Sequence, residues 1–150
     1  MAANTSPIFG ATINTFGVTI PTSAILTGSN AQGAVVGTNL FPAFTCGANG
    51  SFVQKIRFMP AASAPLSTVG SVLRIHLSFS GSGTLTTASA FLLGEMSVPI
   101  IASSNASNAA NFYEYPLNLP IDSGSFLMVS QHTAQTALTN WQAIVFATDY

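Results

Sequence analysis

The sequence predicts an all-β chain, an antiparallel sandwich or barrel of about eight strands. Three observations predict it. Apolar residues alternate with polar ones at a period of two rather than 3.6. Clusters of Gly, Pro, Asn and Ser interrupt these runs at intervals of about 10–15 residues, which is turn chemistry. Glu, Lys, Arg and Gln, which populate helix surfaces, are nearly absent.

The elements follow in order. Ala11–Ile20 is rich in Thr, Ile, Val and Phe and stops at Pro21. Ala34–Phe41 stops at Pro42. In Phe52–Met59, strict alternation puts Phe52, Ile56 and Phe58 on one face and Val53, Lys55, Arg57 and Met59 on the other. Ser71–Ser80 alternates best, with Leu73, Ile75, Leu77 and Phe79 opposite Val72, Arg74, His76 and Ser78. Thr84–Leu93 follows the Gly81-Ser-Gly83 turn, and Glu95–Ile101 follows Gly94. Phe112–Leu119 stops at Pro120, and Asp122-Ser-Gly124 turns the chain into Ser125–Gln131. Trp141–Thr148 closes the series. No repeat, composition break or linker divides residues 1–150, which read as one domain with residues 1–9 as an N-terminal arm.

Charge narrows the function. Charged residues make up 5% of the chain, with a formal net charge of −1. An average soluble domain carries about 25%. A surface so poor in charge suits burial against copies or partners better than life as a lone monomer. Lys55, Arg57 and Arg74 are the only basic residues, too few for the cation cluster that nucleic acid requires. No stretch supplies the roughly 20 mostly apolar residues of a spanning helix, since Ala88–Ala102 is broken by Gly94, Glu95 and Pro99. Residues 1–7 lack the basic and apolar regions of a secretory leader. No membrane or nucleic-acid partner is expected.

Nor do the ionisable residues gather into a motif. His76 and His132 are the only histidines and Cys46 the only cysteine, short of a metal set and without an activating partner nearby in sequence. Glu95, Glu114, Asp122 and Asp149 are widely separated, and Asp122 fits a turn. Glu95 and Glu114 are available to pair with Lys55, Arg57 or Arg74. Ser80-Gly-Ser-Gly83 has neither the nucleophile-elbow nor the phosphate-loop spacing. The aromatics are mainly Phe, 11 against one Trp and three Tyr, which favours core or buried interface over a carbohydrate platform. The expectation is a non-enzyme with no cofactor, metal or small-molecule substrate.

Four stretches carry a resemblance: Ser6-Pro-Ile-Phe9; Gly47-Ala-Asn-Gly-Ser-Phe-Val-Gln-Lys-Ile-Arg-Phe58; Tyr113-Glu-Tyr-Pro-Leu-Asn-Leu119 with its following turn; and Trp141 through Ala147-Thr-Asp-Tyr150. Together the chain resembles small structural proteins of tailed bacteriophages, the cement or decoration proteins that coat phage heads. The resemblance implies a jelly-roll-like sandwich. It also implies a homotrimer or homodimer, made in the host bacterial cytoplasm, that binds across major capsid protein subunits on the virion. A tail- or fibre-associated virion protein and a carbohydrate- or receptor-binding module are the alternatives. The candidate contact surface is the arm, with Pro7, Ile8 and Phe9, and the Val53, Lys55 and Arg57 face.

Overall fold

In the computed structural model, residues 12–22, 25–62, 67–86, 88–101 and 112–150 are described. They form eight strands and, among the described residues, no helix. The strands are β1 (Thr12–Ile20), β2 (Phe41–Thr45), β3 (Ser51–Ala62), β4 (Ser71–Ser78), β5 (Ala90–Val98), β6 (Tyr113–Ile121), β7 (Phe126–Gln131) and β8 (Thr139–Asp149). One sheet has the order β1-β8-β3-β6 and the other β2-β7-β4-β5, with every pairing between strands antiparallel. The first strand lies beside the last, and the second beside the seventh. This interleaving of two Greek keys is the order of a jelly roll, so the predicted β-sandwich is observed.

The core lies between the sheets. Trp141, Ala143, Val145 and Ala147 of β8 meet Phe44, Leu73, Ile75, Leu127 and Val129 of the other sheet, with Val53, Ile56 and Phe58 of β3 beside them. Trp141 is fully buried, its ring edge-on to Tyr113 at 5.9 Å.

Three expectations of strand placement change. Residues 34–40 form turns and isolated bridges, and β2 begins at Phe41 instead. Pro42 lies inside β2 because an edge strand can lose one N–H without breaking a ladder. The two runs flanking Gly94 are a single strand, β5, whose register against β4 shifts between Ile75 and His76. In β3 the register shifts between Val53 and Lys55. A bulge adds one residue and reverses the side-chain alternation beyond it. Val53 therefore points into the core with Ile56 and Phe58, at 0% exposure, while Phe52 joins Lys55 and Arg57 on the other side.

The two sheets are covered differently. Arg74, His76 and Ser78, expected on an outward face, are all buried. Residues 25–40 cross that face as a strap and build a second small core from Ala31, Ala34 and Leu40 with Leu85, Ala90 and Met128. Arg74 bolts the strap down. Its Nη1 donates to the Leu26 carbonyl at 2.6 Å and its Nε to Glu95 at 2.5 Å. His76 Nε2 lies 3.1 Å from the Ser29 carbonyl. Sheet β1-β8-β3-β6 carries no such cover among the described residues.

Candidate interaction face

The uncovered sheet presents Ile13 and Thr15 from β1, Ile144 and Phe146 from β8, Phe52 and Gln54 from β3, and Glu114 from β6. Ile13 is 83% exposed, the most open large apolar side chain described. A shallow depression of about 310 Å³ lies between Ile13, Thr15, Phe52, Gln54, Phe146 and Thr148. Its walls are mainly apolar, and nothing charged lines it.

Beside it sits a compact ion cluster. Lys55 and Arg57 follow the β3 bulge on the same face, and Arg57 lies opposite Glu114 in the register with β6. Lys55 Nζ and Arg57 Nε each donate to Glu114 Oε1 at 2.9 Å. These hydrogen bonds, from Lys55 and then Arg57, hold the Glu114 carboxyl below its ordinary value. The Arg57 guanidinium also lies over Phe112 at 4.4 Å and near Phe146 at 5.4 Å, and Lys55 Nζ lies 5.2 Å from the Phe146 ring. The two cations share this one carboxylate and are backed by aromatic carbon within one chain, so the cluster keeps one positive charge in excess.

At the end of the same sheet, Asp149 gathers polar partners. Ser51 Oγ donates to it at 2.5 Å and Asn14 Nδ2 at 2.8 Å. Cys46 Sγ, buried, is 3.1 Å from both Ser51 Oγ and the Ile121 carbonyl. The group ties β1, β3 and β8 to the turn at residues 47–50. Gly47 belongs there because a Cβ would fall 2.7 Å from Asp149 Cγ. Of the seven charged side chains, all within the described residues, five are in ion pairs and Asp149 is hydrogen-bonded.

The expected contact residues fall out as follows. Lys55 and Arg57 lie on the open face. Val53 does not, for the bulge turns it inward. Pro7, Ile8 and Phe9 lie outside the described residues. Trp141, the residue best suited to stack on a sugar, is fully buried and is no platform. Ile13, Ile144, Phe146 and Phe112 also belong to this face and are not among the residues the sequence singles out. The alternation of β8 carried a signal, because Trp141, Ala143, Val145 and Ala147 leave Ile144 and Phe146 to the opposite side. Among the described residues, no group of three or more His, Cys, Asp or Glu could hold a metal ion, and no helix is long and apolar enough to cross a membrane.

No family model and no curated protein matches the chain. Among solved structures, it is similar to a chain of T=1 particles derived from infectious bursal virus, with 12% identity and a TM-score of 0.18. The match covers 99% of this chain and 44% of that one, so this chain spans less than half of its length. A likeness so slight bears on neither fold nor function.

Proposed function

We propose that the chain is a virion structural protein, a phage capsid cement or decoration subunit that oligomerises and binds across major capsid protein subunits. A jelly roll hosts many activities, so the fold alone does not carry this reading. The observation that carries it is the uncovered sheet face. Exposed Ile13 and half-buried Phe52 and Phe146 surround a depression there, and both neighbouring cations are ion-paired to Glu114. The depression itself loses little on desolvation, because its walls are mainly apolar and none of its lining residues is charged. It resembles the charge-depleted centre of a protein–protein interface.

Weak contacts repeated over a lattice become strong collectively. The subunit would act by burial and shape, without chemistry. Incubation with mature phage heads followed by sedimentation tests the reading. Wild-type protein is expected to travel with the heads, and an Ile13→Lys/Phe146→Lys variant to stay in the supernatant while remaining folded. Wild-type protein with no affinity for heads would sink the reading. Density on the tail or fibre in cryo-EM of the parent particle would assign the alternative virion address.

A further inference from the structure

The two sheets have four edge strands, β1 and β6 in one and β2 and β5 in the other. An edge strand offers unpaired N–H and C=O groups to any other strand, and natural proteins blunt it with brevity, Pro, charge or a bulge. Three of the four are blunted. β2 is five residues long, contains Pro42 and breaks register beside it. β5 has a register shift and carries Glu95. β6 carries Glu114, Pro116 and Pro120, and Asn118 adopts a φ of 47°.

β1 has none of these devices. Its nine residues, Thr-Ile-Asn-Thr-Phe-Gly-Val-Thr-Ile, include no charge and no Pro. Its register against β8 runs unbroken from Thr12 to Ile20. Among the described residues no strand pairs with its outer edge. Phe16, at its midpoint, is 48% exposed.

We infer that β1 is a homodimerisation edge, pairing antiparallel with β1 of a second copy about a twofold axis at Phe16. The sequence is self-complementary in that register. Phe16 faces its own copy, Thr15 faces Gly17, Asn14 faces Val18, Ile13 faces Thr19 and Thr12 faces Ile20. Cross-strand aromatic and β-branched pairs are favourable, and no like charges meet. All nine residues are used, and the two four-stranded sheets become one of eight. The contact is isologous, so it closes at two copies and leaves no growing end. It exposes the seam to no competing edge, because the remaining edges stay blunted.

This inference stands on the edge strand alone and not on the capsid reading. A dimer that ignores phage heads keeps it and sinks that reading, whereas a trimer that binds heads does the reverse. Sedimentation equilibrium of the whole chain tests it, with circular dichroism as the control for folding. Wild type is expected at twice the chain mass of 15.4 kDa. Phe16→Glu and Phe16→Lys are each expected at 15.4 kDa, because each places like charges opposite each other at the axis. An equimolar mixture of the two is expected to regain the doubled mass. Hydrogen exchange on wild type needs no variant, and the free-edge amides of residues 12–20 should become more protected as concentration rises. A monomeric wild type, a trimer, charged variants that keep the doubled mass, or protection independent of concentration would each overturn the inference.

Discussion

Arg74 on β4 and Glu95 on β5 stand directly opposite each other, Nε to Oε1 at 2.5 Å, with the arginine almost wholly buried and the glutamate partly open. The pair does more than join two strands. The same guanidinium holds the Leu26 carbonyl and approaches His132 Nδ1 at 3.5 Å, so one side chain fastens the strap of residues 25–40 to the sheet below.

Replacing Arg74 with Met keeps the length of the side chain and removes its donors. The Leu26 carbonyl and Glu95 then lose their partner. A loss of about 2 kcal/mol is expected, since leaving a buried acceptor unsatisfied costs roughly 1–3 kcal/mol and the exposed side of Glu95 is screened by water. Urea unfolding measures it. Faster hydrogen exchange confined to residues 25–40 would locate the effect in the strap.

His76 sits under the same strap. Burial lowers its pKa below the ordinary 6.5 and Arg74 adds to this, against the opposing effects of the Ser29 carbonyl and Glu95. The folded chain therefore binds the proton less readily than the unfolded one. Its contribution to stability is fully present above pH 6.5 and declines as pH falls below it towards the folded value. Thermal unfolding across this range should show that decline in wild type. In His76→Gln the slope should flatten.

Glu114 behaves in the opposite chemical class with the same sign. Its folded carboxyl titrates lower than the unfolded one, through Lys55 and Arg57, so its contribution is present above the ordinary value of 4.5 and is lost as pH falls through the lowered value. Carboxyl-carbon NMR titration should place Glu114 below 4.5 in wild type and return it towards 4.5 in Lys55→Met/Arg57→Met. An unmoved titration would show that the two cations do not hold it.

The β3 bulge makes a paired prediction. Val53 is at 0% exposure in the core, whereas Phe52 lines the open depression. Val53→Ala should cost about 2 kcal/mol, a cavity in a packed interior. Phe52→Ser, though the larger change, should cost about 1 kcal/mol or less, as surface positions do. Denaturant midpoints of the two variants decide the order.

Strand alternation was legible where pairing is regular. Leu73 and Ile75 face the main core as read, and the turns at Gly81 and Asp122 fall where the residues place them. Val53 and Phe52 were exchanged because a bulge is set by two partner strands and leaves no mark on a local run of residues. Local alternation makes Arg74 and His76 an open polar face, because their cover is remote in sequence. The strap buries small residues, Ala31 and Ala34 among them, which show no period of their own. Its reach over β4 depends on the fold being complete. The Lys55–Arg57–Glu114 cluster needed the β3–β6 register, so sequence narrowed its members without joining them.

The pairing of Thr12 with Asp149 has a consequence for how the chain reaches this state. β1 leaves the ribosome before its partner β8, which emerges some 120 residues later, and at about 5–20 residues per second that is a wait of several seconds or more. Sheets built from such distant pairings fold slowly, over milliseconds to seconds. During the wait, a nine-residue strand without charge or proline has both edges unoccupied. The nascent chain is therefore most vulnerable to wrong association at the segment that completes its sheet, and chaperone capture of residues 12–20 would shield it until β8 arrives.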